Sequence, residues 1–204
     1  MGIVSLPRLR QTRGVLLWRQ KVTADWLPRV LSDLPRVLVD HAHLERKAAS
    51  AALNLEKFRD LFPHVDRLNA IAIEELQHFQ LVLALLKSRG IPFGQAYPSP
   101  WISGLMRSIR NGTREQVIDH LVCCALIEGR SCEKFQMLAE ALKPRDPELS
   151  AFYAGLVESE GNHYATYLLM ARGIDLAETE RQVDFYLDLD ARLIREPHSF
   201  PILH

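Results

Sequence analysis

The chain lacks the raw material of a stapled or membrane-bound scaffold. Its 204 residues include three cysteines, Cys123, Cys124 and Cys132. Two are adjacent, the count is odd and no CxxC pair occurs, which argues against a disulfide framework or zinc finger and points to a reducing, cytoplasmic setting. The longest uninterrupted apolar run, Leu121 to Ile127, falls far short of the ~20 residues of a membrane span. Net charge is absent as well: 25 basic residues balance 25 acidic ones, so no global field draws the protein to a polyanion. The start has no apolar core of a secretory signal, and position 6 is Leu where myristoylation calls for Ser or Thr. No glycine-rich dinucleotide or flavin motif occurs, so electrons for any redox chemistry must come from a separate protein.

What is present is helix period. Four long segments carry apolar residues at spacings of three and four. The first, roughly Leu34 to Phe58, has Asp33 as N-cap and the stripe Leu38, Ala42, Glu45, Ala49, Ala52. The second follows Pro63, stops at Gly90, and reads Leu68, Ile71, Glu75, His78, Val82, Leu85. The third opens on a capping box, Thr113 to Gln116, and reads Val117, Leu121, Cys124, Glu128, Cys132, Phe135. The fourth opens at Asp146-Pro147, closes at Gly173, and reads Leu149, Tyr153, Leu156, Glu160, His163, Tyr167, Met170. Short links pair the first helix with the second and the third with the fourth. The stretch from Ile91 to Gly112, rich in Pro, Gly and aromatics, suits a crossover along the bundle. The expected fold is all-α: a ferritin-like four-helix bundle with a long crossover between helices 2 and 3 and extra terminal helices. One domain is expected, with a basic arm over 1–33, the bundle over 34–173 and an acidic helix over 177–195.

Each stripe is interrupted once, near its middle, by glutamate. Glu45 and Glu128 stand alone, whereas Glu75 and Glu160 are followed at i+3 by His78 and His163. Residues three apart share a helix face, so each pair can address one ion. The order Glu, ExxH, Glu, ExxH is the ligand set of di-iron carboxylate bundles. Four buried carboxylates without partners would each cost several kcal/mol, of order the penalty for an unpaired buried ion; two divalent cations would neutralise them. The expected arrangement has Glu75 and Glu160 bridging, with Glu45 and His78 completing one ion's shell and Glu128 and His163 the other's. Glu74 is the candidate for orienting a histidine from behind. A lone Glu or His on such a stripe is as often a surface residue one position out of phase, but six in order are not. His41 can reach Glu45 at i+4, though both it and His43 are read as rim residues.

The stretches Asp40-His-Ala-His-Leu-Glu-Arg-Lys-Ala-Ala49, Glu74-Glu-Leu-Gln-His-Phe79, Tyr97-Pro-Ser-Pro-Trp101, Leu126-Ile-Glu-Gly-Arg-Ser-Cys-Glu-Lys-Phe135 and Glu158-Ser-Glu-Gly-Asn-His-Tyr164 resemble the tRNA hydroxylase family called MiaE. The resemblance spans Leu34 to Arg172 and includes all six proposed ligands. It implies an oxygen-dependent di-iron monooxygenase that uses O2 and an external electron donor to hydroxylate the isopentenyl group of 2-methylthio-N6-isopentenyl-adenosine, beside the tRNA anticodon. The implied partners are the anticodon loop and a separate reductase, on a monomer or small oligomer. Placement of charge and aromatics nominates Arg8, Arg10, Arg13, Arg19, Lys21, Arg107, Arg110, Arg114 and Trp101 as contacts to RNA. The alternatives are a ferritin-like iron store or another di-iron oxidase that does not act on tRNA. A rubrerythrin-like peroxidase would need paired CxxC motifs, and these are lacking.

Overall fold

The computed structural model describes residues 18–112, 114–196 and 200–204. Among them are seven α-helices, one 3-10 segment and no strand. They are α1 (Trp26–Leu31), α2 (Leu34–Leu55), α3 (Val65–Ser88), α4 (Pro100–Arg107), α5 (Arg114–Leu142), α6 (Pro147–Ile174) and α7 (Leu176–Leu193). The 3-10 turn Arg59–His64 leads from α2 into α3.

Local chemistry sets most of the boundaries. Asp33 accepts the backbone N–H of Arg36 at 3.2 Å to start α2, and Asp146 accepts that of Leu149 at 3.0 Å to start α6; each is followed by proline in the first turn. Gly90 ends α3 in the left-handed region, φ 66°, with Ile91 N–H reaching back to the Leu86 carbonyl. Gly173, expected to stop the fourth helix, lies inside its last turn instead. The stop is Asp175, which closes α6 and caps α7 by accepting the Glu178 N–H at 3.0 Å. No residue is spent on a linker there. The expected capping box at the start of α5 includes Thr113, which lies outside the described residues.

α2 pairs with α3 and α5 with α6, and the two pairs face each other to form the four-helix bundle. All stripe residues named above are buried, which gives two apolar clusters, one toward each end of the bundle. The crossover holds a helix that its sequence does not announce, α4. It lies against α7, so closely that a Cβ on Gly104 would sit 2.6 Å from the Leu193 side chain. α7 packs on α5 and α6 outside the bundle. No helix among the described residues is long and apolar enough to cross a membrane.

A polar network ties these outer elements down. Arg130 and Asp190, both fully buried, form a bidentate ion pair between α5 and α7. Asp190 also accepts from Trp101 Nε1 at 3.0 Å, and the Trp18 ring lies 3.8 Å beneath the Arg130 guanidinium. The segment 200–204 runs back into the core. His204 stacks on Trp101 at 5.2 Å, Lys134 Nζ donates to its Nδ1 at 3.1 Å, and Ser131 meets its Nε2 at 3.0 Å. The Leu203 N–H donates to buried Asp40 at 2.8 Å. Burial pushes the Lys134 ammonium down to about 7, and burial beside that cation holds His204 well below the usual imidazole range.

Candidate metal centre

Midway along the bundle, one turn from each of four helices meets at a common point. Glu45 comes from α2, Glu75 and His78 from α3, Glu128 from α5, and Glu160 and His163 from α6. Two groups of donor atoms form, each with members within 4.8 Å of one another: Glu45, Glu75, His78, Glu160, and Glu75, Glu128, Glu160, His163. Glu75 and Glu160 belong to both. The helix spacing therefore brings together all six residues that the sequence nominates, with the two ExxH glutamates central. All are buried.

The atoms face one another without being satisfied. Both oxygens of Glu75, Oε1 of Glu160, and Nδ1 of His78 and His163 are buried with no hydrogen-bond partner. His163 Nδ1 lies 2.7 Å from Glu75 Oε1 but out of hydrogen-bond alignment. His78 Nδ1 sits 3.6 to 3.7 Å from carboxylate oxygens of Glu45, Glu75 and Glu160. Desolvating such groups without a partner costs several kcal/mol each, so this arrangement suits donors aimed at cations.

Titration behaviour points the same way. Burial, then the charge of Glu128, holds Glu160 well above the usual carboxylate range; burial, then Glu75, pushes Glu128 up to about 8. Burial raises Glu75 too. For Glu45 burial pushes upward, but the adjacent His41 outweighs it and leaves the carboxyl well below its usual range. Burial depresses both imidazoles, yet the surrounding carboxylates win, taking His78 up to about 10 and His163 up to about 9. The layer carries surplus negative charge that protons occupy where cations could. Oxygen and imidazole donors in this number fit divalent iron.

Behind the donors stands a second set of groups. Glu74 accepts from His163 Nε2 at 2.8 Å, across to α6 rather than along its own helix. The outer nitrogen of His78 meets a hydroxyl instead, Ser159 Oγ at 3.3 Å. His41, read from the sequence as a rim residue, is fully buried; it hydrogen-bonds Glu45 and packs among Phe135, Phe152 and Tyr153. His43 is buried as well, on the Gly94 carbonyl and the Phe93 ring. Both were misjudged because the buried face of α2 is wider than one stripe; the i+4 spacing of His41 to Glu45 was the available signal.

The nominated RNA contacts scatter. Arg8, Arg10 and Arg13 lie outside the described residues. Trp101 is buried, with its N–H on Asp190 and its ring on His204, so its face is not available to stack on a base. Arg110 is held by Asp119 and Glu178, and Arg19 by Asp184 and Asp188. Arg114 is exposed and donates to the Ile174 carbonyl. Lys21 and Arg107 are exposed.

A ferritin-like bundle whose two donor groups share two carboxylates is the architecture of the di-iron carboxylate proteins. Similarity narrows the class. The family model described as tRNA-(MS[2]IO[6]A)-hydroxylase (MiaE) matches residues 11–204, and the chain belongs to that family. It is 38% identical over 174 residues to the tRNA 2-(methylsulfanyl)-N(6)-isopentenyladenosine(37) hydroxylase of Pseudomonas putida, covering 84% of this chain and 83% of that protein. A protein of the same description from Salmonella typhimurium is 35% identical over 133 residues, 65% of this chain and 48% of its own length. Among solved structures, a Synechococcus protein titled as having aldehyde deformylating oxygenase activity superposes with TM-score 0.85 at 29% identity, over 93% of this chain and 96% of that one.

Proposed function

We propose that this chain hydroxylates the isopentenyl group of 2-(methylsulfanyl)-N6-isopentenyladenosine in tRNA, using O2 and two irons held by Glu45, Glu75, His78, Glu128, Glu160 and His163. The observation that carries the reading is the set of buried, partnerless oxygen and nitrogen atoms meeting at one point, in a chain of this family. Two irons held there would supply the activation of dioxygen needed to hydroxylate an allylic C–H bond of the prenyl group.

The protein's own part is positional. Glu75 and Glu160 would bridge, Glu45 with His78 would complete one shell, and Glu128 with His163 the other. Glu74 and Ser159, by engaging the Nε2 atoms, leave both Nδ1 lone pairs facing inward. Buried Ala49, Ala52, Leu121, Cys124 and Tyr167 line the bundle on the side toward the end of α2 and keep that side of the donors apolar. Electrons would come from a separate protein. Of the nominated RNA contacts, exposed Lys21, Arg107 and Arg114 are the ones retained. The chain would act as a single domain.

Analysis of tRNA nucleosides from cells with and without the gene tests this. The hydroxylated nucleoside should disappear and its isopentenyl precursor accumulate when the gene is deleted. An unchanged hydroxylated nucleoside in cells that make the precursor would sink the proposal.

A further inference from the structure

The two halves of the metal centre have the same ligand types but different support. On one side, His163 donates its outer N–H to a carboxylate, Glu74. An anion behind an imidazole makes the metal-facing nitrogen a stronger donor and fixes its orientation. On the other side, His78 faces the Ser159 hydroxyl, whose own proton is committed to the Leu156 carbonyl at 2.9 Å. That oxygen can accept the His78 N–H, so it selects the same tautomer, but it adds no negative charge.

The carboxylates differ in the same sense. Oε1 of Glu45 is engaged by buried His41, whose Nδ1 has no partner, so the geometry suits an Nε2–H that donates to the carboxylate. A carboxylate that accepts such a bond has less electron density to give an ion. The solvent boundary is unequal too. The His78 side chain is 11% exposed against 3% for His163, so the half with the weaker donors is also the half nearer water.

We infer that the two ion positions are unequal and fill in order: the one between Glu128 and His163 binds first and more tightly, and the one between Glu45 and His78 binds second and exchanges more readily. The inference rests on the di-metal reading above and deepens it by ranking its two positions. Glu74 is the positioning residue that strengthens the tighter position. It touches neither ion position directly and acts through His163.

The test uses the full-length protein, freed of metal and titrated with Co(II), read by calorimetry and by the visible absorption of the bound ion. Two resolved binding steps are expected. A crystal grown with one equivalent of Co(II) should show anomalous density at Nδ1 of His163 and little at Nδ1 of His78. Glu74→Gln, an isosteric change at a side chain 52% exposed, should weaken the tighter step about 10- to 100-fold and leave the weaker one within a few-fold. Ser159→Ala should affect only the weaker step, by less than tenfold. Equal occupancy at one equivalent, an ion at His78 first, or an unchanged tight step in Glu74→Gln would each overturn the ordering while leaving a two-metal site intact. Failure of the unaltered protein to bind two equivalents would sink the ordering and the site together.

Discussion

Two regions of the core bury charge, and they do so in opposite ways. Around Arg130 every formal charge meets a partner: Asp190 takes two bonds from the guanidinium and one from Trp101, and Lys134 donates to His204. Around Glu75 the polar atoms converge and find nothing. Burial alone thus distinguishes neither region, since Asp190 and Glu75 are both fully buried. What separates a structural tie from a binding site is whether the hydrogen-bonding capacity closes on itself.

Removing single groups should break that contrast in characteristic ways. The largest effect is expected from Glu128→Ala, which should lower bound iron and abolish turnover while leaving the fold intact, as read by metal analysis and circular dichroism. Two irons per chain with full turnover in that variant would remove Glu128 from the site. Next, Asp190→Ala should destabilise by about 3–5 kcal/mol in denaturant unfolding, because it leaves a buried guanidinium without its acid.

A graded effect should follow from pH in the metal-free protein. Glu128 is raised to about 8 from its unfolded value of 4.5, so the folded state holds the extra proton between those limits and stability falls as pH rises through them. His163 and His78, raised from 6.5 to about 9 and about 10, likewise contribute stability below pH 6.5 that is lost as pH climbs through their folded values. Melting temperature should therefore decline from about pH 5 to 10 without metal and much less with it. Lys134 acts in the opposite sense, because its proton is held more tightly in the unfolded chain between about 7 and 10.5. Lys134→Met should make the decline above pH 7 steeper; a flat profile in the metal-free protein would mean its carboxylates are already satisfied. The smallest change is expected for His204→Ala, about 1–3 kcal/mol for the acceptor lost to Lys134.

The same contrast explains what could be read in advance. The convergence of the six donors was legible because each sits in phase with an apolar stripe on its own helix, so local spacing fixes its direction. The bundle helices were legible for the same reason. α1 and α4 are six and eight residues long, too short to display a period. The Arg130 network was invisible because the bonds that tie it to α7 and to the segment 200–204 join residues 60 to 163 positions apart, and nothing in the spacing of Asp40, Trp101 or Asp190 announces a partner. Arg130 lies two positions after Glu128 in the stretch Leu126 to Phe135, one of those that carry the family resemblance. Glu128 faces the other donors and Arg130 points to α7.

Asp175 couples two helices mechanically. Because α6 ends and α7 begins on that one residue, the two helices are geared, with no slack to absorb a change in length. Each residue advances a helix by about 100°. One amino acid inserted in the first turn of α7, just after this elbow, would therefore turn the rest of that helix about its own axis and swing Asp190 off the face that meets Arg130. An insertion of the kind the crossover before α4 could accept would, there, unthread Arg130 from its acid without touching either residue.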